Sequence, residues 1–345
     1  MKKAKQDQHL IKMNDEHQML CQMLRDWGKA SLEPQAQAWD EEQEIPASTL
    51  REAEDLGLLS ISLPEERGGA GMGYLASIHA IETVARFEGA LALKVALFNG
   101  PIATCWPEEI EEIDAAWGAG CGVIQVAEDG ARGLLSDVPW ATGAKWLMVP
   151  QGNRLYLVDL HSTGVKLTPH QDRLSLRCAE WCDIFLDGAK TLAFPLERSV
   201  RTLAEAWVNL GWAALAIGLG TSGSKLGINY AQERFQFGKP ISSFQAIQWM
   251  IADNVAELDA ARLLAYQAGR QLESGAIVQG ARLAAEARLL AADAGHQACD
   301  RGIQMHGGYG YTREYQVERF WRDVQRCYPV GGKGRLHQQI VAGLT

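Results

Sequence analysis

The spacing of hydrophobic and polar positions changes twice along the chain, and these changes divide it into three parts. Residues 1–117 carry apolar positions at helical spacing, as over Leu20–Trp27 and Tyr74–Phe87. Residues 118–197 contain short runs of β-branched and aromatic residues separated by Gly, Pro, Asp and Asn. Helical spacing returns over residues 198–345. We therefore predict a helical N-terminal domain, a middle antiparallel β domain and a C-terminal bundle of about four helices.

The middle domain is predicted from four strand-like runs, which are Val123–Val126, Trp146–Val149, Arg154–Val158 and Cys182–Leu186. No stretch of helical spacing separates these runs. A parallel sheet with helices on both faces is therefore not expected.

The C-terminal part contains four predicted helices, which are Thr202–Gln232, Phe244–Ser274, Gln279–Gly302 and a shorter one near Glu314–Arg326. After the first of these comes Gly238-Lys239-Pro240. Glycine suits a helix end and proline cannot continue a helix, so we expect helical structure to stop there and to resume near Phe244.

The segment Gly218–Gly223 has the spacing G-x-G-x-x-G of a dinucleotide-binding loop. That motif requires a preceding strand and an acidic residue about 20 positions later. Here it lies inside a long apolar helical pattern that Gly211 and Gly227 extend. We interpret these glycines as a face for close helix packing rather than a nucleotide site.

Composition excludes several classes of function. The net charge of −9 over 345 residues leaves no basic surface of the kind that binds nucleic acid. No apolar core of a secretory signal follows the basic start, and no run approaches the roughly 18 apolar residues of a membrane span. The seven cysteines lack zinc-site spacing. We expect a cytoplasmic protein with reduced thiols, no metal and no membrane span.

Two turns between helices carry candidate chemistry. Arg234 stands beside Phe235 and Phe237, and a guanidinium in that setting suits an anion or a flat ring system, although a surface arginine at a helical corner gives the same pattern. His306 lies in a glycine-rich turn. A lone histidine there is usually structural, and it acts as a base only if a substrate is aligned against it.

Three segments together resemble the acyl-CoA dehydrogenase family in order and spacing: Leu56–Gly71, Gln232–Gln245 and Gln304–Asp323. The resemblance implies a helical N-terminal domain, a small β-barrel-like domain and a C-terminal four-helix bundle. It also implies FAD as cofactor, an acyl-CoA or acyl-carrier thioester as substrate, and α,β-desaturation as the reaction. An electron-transfer flavoprotein would accept the electrons, and the chain would form a homo- or hetero-oligomer, a dimer or a tetramer.

The resemblance assigns FAD contacts to the turn after the first long C-terminal helix. Arg234 is at the position that reaches the pyrophosphate of a neighbouring subunit's FAD, with Gln236 and Phe237 nearby. Gln245 lies in the matching segment at the start of the next helix.

It assigns further FAD contacts elsewhere in the chain. Gln304, Gly307 and Gly308 match the turn that lies against the adenine-side phosphate region. Trp140 and Thr142 match the residues that flank the isoalloxazine ring.

The catalytic base of the family is missing from both of its known positions. Nine residues after Arg322, where the family has its glutamate, this chain has Gly331, and the alternative helical position holds Val208. Lys333 replaces a threonine expected to contact the flavin. Three interpretations remain open. In the first, Glu205, one helical turn before Val208, supplies the base. In the second, a partner subunit of a heteromeric dehydrogenase supplies it. In the third, the chain has other flavin chemistry or binds without catalysis.

Overall fold

The computed structural model describes residues 14–110, 113–328 and 333–344. Two of the predictions above depend on residues outside these ranges. The prediction about a secretory signal depends on the basic N-terminal start, and the prediction of a missing base depends on Gly331. The helices are α1 (Asp15–Trp27), α2 (Ala36–Glu42), α3 (Ala47–Asp55), α4 (Gly73–Ala85), α5 (Gly89–Leu97), α6 (Ala103–Cys105), α7 (Arg198–Glu233), α8 (Gln245–Glu273), α9 (Ile277–His306), α10 (Val317–Val324) and α11 (Gly334–Ala342).

The strands lie between α6 and α7, apart from one short hairpin that follows α7. They are β1 (Ala115–Trp117), β2 (Gly122–Ala127), β3 (Gly130–Val138), β4 (Trp146–Gln151), β5 (Arg154–Asp159), β6 (Val165–Pro169), β7 (Cys182–Ala189), β8 (Thr191–Pro195), β9 (Phe235–Gln236) and β10 (Lys239–Pro240). The predicted order of helices, then strands, then helices is confirmed.

The middle region is two open four-stranded sheets, in the orders β1-β4-β5-β8 and β2-β3-β7-β6. All pairings in these two sheets are antiparallel except that of β1 with β4, which is parallel. The expectation of a β-barrel-like domain is corrected here, because the described strands do not close into a barrel. The two sheets bury a separate small core that includes Ile124, Leu147 and Ile184.

In the C-terminal bundle, glycines let α7 and α9 approach each other closely. A Cβ atom on Gly220 would lie 2.6 Å from the Cα atom of Gly295, and one on Gly223 would lie 2.7 Å from Sγ of Cys299. Both distances are shorter than any real Cβ contact, so only glycine fits. The glycine motif Gly218–Gly223 is therefore a packing face, as predicted.

Helix α7 has a length and composition that would allow it to cross a membrane. However, 78% of its most apolar window is buried inside the fold. Burial on this scale is typical of the core helix of a folded domain.

The helix α7 ends at Glu233, one residue after the predicted end at Gln232, so helical structure stops before Gly238-Lys239-Pro240. The residues between form the hairpin β9–β10, in which Lys239 pairs with Gln236 and Pro240 with Phe235. The two residues at its tip, Phe237 and Gly238, both have positive φ angles, 52° and 79°. Positive φ at both central positions is the type I′ turn that suits a two-residue hairpin.

Buried charges in the last turn of α10 join the three parts of the chain. Arg322 forms an ion pair with Asp40 of α2 at 2.6 Å. Asp323 accepts a hydrogen bond of 2.6 Å from the backbone N–H of Leu176 in the β domain. Burial raises the pKa of Asp323 to about 7, so removal from water favours the protonated carboxyl group, while the N–H of Leu176 favours the ionised one.

Candidate functional site

One end of the C-terminal bundle gathers most of the predicted FAD residues. The ring of Tyr230 on α7 stacks on His306 at the end of α9, with centroids 4.4 Å apart. Both helices therefore end at the same place. The rings of Phe237 and Phe244 pack edge to face at 6.3 Å, which brings the start of α8 and Gln245 to the same end.

At this end, Arg234 is a guanidinium without a protein partner. Its backbone is fixed on both sides, since its N–H donates to Tyr230 and its carbonyl accepts from the N–H of Ile241, both at 2.8 Å. Its exposed side chain forms no hydrogen bond or ion pair with any residue the structure describes. Gln236 is exposed, and Phe237 is 93% exposed. An exposed cation on a fixed backbone, beside exposed aromatic surface, is suited to an anionic ligand or to a second protein chain.

The turn after α9 presents bare backbone. Gln304, Gly307 and Gly308 are exposed. A Cβ atom built on Gly307 or on Gly308 would meet nothing within 4 Å. Space is therefore open for a ligand against this backbone. His306 is buried beneath the turn, where its Nδ1 lies 2.8 Å from the carbonyl of Gly302 and burial lowers its pKa. This histidine has a structural setting.

The remaining two predicted FAD residues lie in the β domain. Trp140 is 6% exposed, has a φ of 57°, and has a buried Nε1 without a hydrogen-bond partner. Thr142 is exposed two residues later. No hydrogen bond, ion pair or ring contact among the described residues links either of them to the turns at the bundle end. Among the described contacts, the predicted FAD residues thus form two groups that do not touch each other directly.

Glu205, the candidate base, is partly exposed on α7. Its carboxylate lies 3.3 Å from Nε of Arg201, one turn earlier. Arg201 also donates to the carbonyl of Gly152 in the β4–β5 turn at 3.1 Å. The carboxylate is therefore held by an arginine at the edge of the β domain.

A buried arginine that sequence reasoning missed contacts Asn209, the residue after Val208, and also the turn that follows α10. Arg288 of α9 is 8% exposed and donates to the carbonyl of Cys327 at 3.2 Å and to Oδ1 of Asn209 at 3.3 Å. Its guanidinium lies 5.4 Å from the ring of Trp212. Burial lowers its pKa to about 10. In the described ranges no carboxylate lies within 4.0 Å of it.

A second missed residue, Asp293 of α9, holds both ends of the segment that contains Gly331. Tyr328 donates its hydroxyl hydrogen to Asp293 at 2.8 Å. Lys333 donates to both carboxylate oxygens, at 2.6 and 2.7 Å. Burial, helped by this hydrogen bond, raises the pKa of Tyr328. No sequence signal marked Asp293, because its spacing on α9 is that of any polar position.

A cluster of Asp137, His170 and Asp183 in the β domain resembles a metal site in composition, with ligand atoms within 4.8 Å of one another. Its charges are already compensated. Arg173 and Arg326 both form ion pairs with Asp137, and His170 lies 2.9 Å from Asp183. We interpret the cluster as an ion-pair network that joins the β domain to the segment after α10.

Comparison with solved structures gives the class of fold. A structure of butyryl-CoA dehydrogenase from Megasphaera elsdenii superposes with a TM-score of 0.86 at 21% identity, covering 97% of this chain and 99% of that one. A glutaryl-CoA dehydrogenase from Mycobacterium smegmatis in complex with FADH2 superposes with a TM-score of 0.80 at 19% identity, covering 96% and 95%. The fold is that of the acyl-CoA dehydrogenases.

Sequence comparison gives the family. Residues 14–124 match the N-terminal domain of acyl-CoA dehydrogenases and residues 207–343 match the C-terminal domain. The probable acyl-CoA dehydrogenase YngJ of Bacillus subtilis is 27% identical, covering 96% of this chain and 98% of that protein. The caffeyl-CoA reductase-Etf complex subunit CarC of Acetobacterium woodii is 26% identical, with the same coverage. The chain belongs to the acyl-CoA dehydrogenase family, whose cofactor is FAD.

Proposed function

We propose that this chain binds FAD in a site completed by a second chain and acts on an acyl thioester. The observation that carries the proposal is the division of the predicted FAD residues into two groups. Arg234 and the Gly307–Gly308 turn offer a free cation and open backbone, which suit a diphosphate. Trp140 offers a buried aromatic wall and an N–H donor without a partner, which suits a polar ring edge. These features fit FAD, and the family resemblance, in which Arg234 reaches a neighbouring subunit's cofactor, favours two chains sharing each cofactor.

The proposed reaction is α,β-desaturation of an acyl-CoA or acyl-carrier thioester. Bound FAD would supply the hydride acceptor. The protein must then orient the thioester and take the proton from the carbon next to its carbonyl group. Gly331 has no side chain that can take a proton, so another group must do so. Glu205 is the candidate within this chain, and its ion pair with Arg201 would have to open for it to act.

A second candidate function follows from the position of the missing base. The chain would be one half of a heteromeric dehydrogenase, in which the partner carries the glutamate. The similarity to CarC, a subunit of a caffeyl-CoA reductase-Etf complex, supports an electron-transfer flavoprotein as electron partner. The reducing direction of the same chemistry would also fit.

Substitution of Arg234 tests the cofactor site. Arg234→Met should weaken FAD binding by about 10- to 100-fold, because a charge-assisted bond to phosphate is lost. The matched control is Arg313→Met, another exposed arginine near the same end. Equilibrium dialysis against FAD measures the effect. Equal FAD affinity in the two variants would contradict the proposed site.

Substitution of Glu205 separates the two candidate functions. If Glu205 is the base, Glu205→Gln abolishes reduction of bound flavin by acyl-CoA under anaerobic conditions. Arg201→Gln, which breaks the same ion pair but retains the carboxylate, is the control. Unchanged reduction in Glu205→Gln removes Glu205 as base. A chain that gains reducible flavin only in the presence of a second dehydrogenase-like subunit supports the heteromeric alternative.

A further inference from the structure

Lys94 on α5 is a half-buried lysine that contacts two aromatic rings and no carboxylate. Its Nζ lies 4.9 Å from the ring centroid of Trp140 and 5.9 Å from that of Phe98. In the described part of the chain it has no hydrogen bond and no carboxylate oxygen within 4.0 Å. Burial lowers its pKa. An ammonium group removed from water without a partner is costly, so a ligand group is expected to complete its contacts.

Glu180 is a half-buried carboxylate in the same situation. Its side chain makes no hydrogen bond with any residue the structure describes, and burial raises its pKa. It interacts electrostatically with Lys94, although the two are not in direct contact. Its backbone φ of 45° is in the left-handed region, which non-glycine residues adopt mainly where the surroundings impose it.

Trp140 lies beside the side chain of Lys94 and beside the backbone that precedes Glu180. Its ring lies under Lys94, and its backbone N–H donates to the carbonyl of Ala179, next to Glu180, at 2.9 Å. Its own Nε1 is buried without a partner. This part of the molecule thus presents a cationic donor, an anionic acceptor and a neutral N–H donor, and none of the three has a hydrogen-bond partner among the described residues.

The surrounding charges limit what can bind there. Glu54 and Asp114 also act electrostatically on Lys94, and Glu44 acts on Glu180. These carboxylates would repel an additional carboxylate on a ligand. A plain alkyl chain would leave both charges desolvated and unpaired. A hydroxyl group, in contrast, accepts a hydrogen bond from Lys94 and donates one to Glu180 at the same time.

We propose that Lys94, Glu180 and Trp140 form a polar subsite that binds a hydroxyl group on the acyl part of the substrate. The inference rests on the proposed function, since it takes Trp140 as a wall of the flavin site. It deepens that function by naming the substrate class, a hydroxyacyl thioester. The polar subsite would select this class over an unsubstituted acyl thioester of the same length.

Binding to the FAD-loaded protein tests the inference. The probes are non-reactive thioether analogues of acyl-CoA. One has a plain butyryl chain, one carries a hydroxyl group on the terminal carbon of that chain, and the others carry the hydroxyl group on carbons closer to the carbonyl. Their dissociation constants are read from changes in flavin absorbance. The wild-type protein should bind the best hydroxylated analogue about 10- to 100-fold more tightly than the plain one, as expected for hydrogen bonds to charged groups.

Lys94→Met and Glu180→Gln should each remove this preference while the flavin is retained. Lys145→Met is the matched control, because Lys145 also lies over a tryptophan, 5.6 Å from the ring centroid of Trp146, but is exposed. Equal wild-type affinity for all analogues overturns the inference without any variant. If Lys94→Met binds FAD more weakly but keeps the preference when it is saturated with FAD, the flavin is the partner of Lys94, which also overturns the inference. If no thioester analogue perturbs the flavin, the proposed function itself fails.

Discussion

The close approach of α7 and α9 gives a quantitative test of how the glycine motif Gly218–Gly223 works. In Gly220→Ala the new Cβ atom would lie 2.6 Å from the Cα atom of Gly295 and 3.0 Å from a methyl group of Leu258. The backbone of Gly295 is part of a long helix and cannot rotate away, so the two helices must separate. Overpacking of a core in this way costs about 1–3 kcal/mol.

An opposing contribution has to be subtracted. Alanine is favoured over glycine in a helix by about 1 kcal/mol. The net expectation for Gly220→Ala is therefore a loss of up to about 2 kcal/mol in the free energy of unfolding. Gly334→Ala is the control, because Gly334 begins α11 and a Cβ atom there meets nothing within 4 Å. That variant should keep or slightly gain stability.

Urea unfolding followed by tryptophan fluorescence measures both variants, with FAD affinity measured alongside. The packing interpretation predicts that Gly220→Ala shifts the unfolding midpoint down and leaves the intrinsic affinity of the folded protein for FAD unchanged. An unchanged midpoint combined with a large loss of FAD affinity would refute the reasoning. It would show that the glycines bind a nucleotide after all.

Two further predictions concern titratable groups. Asp293→Asn should lower the pKa of Tyr328, because the hydrogen bond to the carboxylate is one of the causes that raise it. Alkaline titration of the tyrosinate absorbance measures this pKa, and Tyr328→Phe assigns the signal. An unchanged titration would contradict the prediction. Asp323 has a pKa of about 7 in the folded protein, well above its value in the unfolded chain. As the pH rises, the unfolded chain therefore loses this proton at a lower pH than the folded protein does. The free energy of unfolding should fall as the pH rises from about 4 to 7. Asp323→Asn, which keeps an oxygen for the N–H of Leu176, should flatten that decline in urea-unfolding measurements across this pH range. A decline as steep as that of the wild type would count against the raised pKa.

The order of the domains could be predicted because each period of hydrophobic positions reports one kind of secondary structure. The long helices were predictable for the same reason. The hairpin after α7 was not, since a type I′ turn at Phe237-Gly238 lacks the usual Asn-Gly or Asp-Gly signal. The parallel pairing of β1 with β4 was also hidden, because a strand of three residues leaves too short a pattern and its partner lies about 30 residues away.

The site was predictable only where residue type determines the chemistry. A free arginine between aromatics and a glycine turn each suggest a phosphate ligand by their own properties. Asp293, Glu180 and Lys94 gave no such signal. Their importance depends on what lies opposite them in space, and periodicity carries no information about contacts between α5, α9 and the β domain.

The arginine near the missing base shows how such contacts change the interpretation of a substitution. Asn209, the residue after Val208, is neutral, so the sequence alone shows no cation at this point of α7. The structure places the guanidinium of Arg288 against Asn209 and against the carbonyl of Cys327, so α9 supplies a cation here. No described carboxylate pairs with Arg288, and position 331 is a glycine. A buried cation without a negative partner is unstable by itself. This imbalance favours a function in which an anionic group arrives from outside the chain, either a glutamate of a partner subunit or a charged form of the ligand.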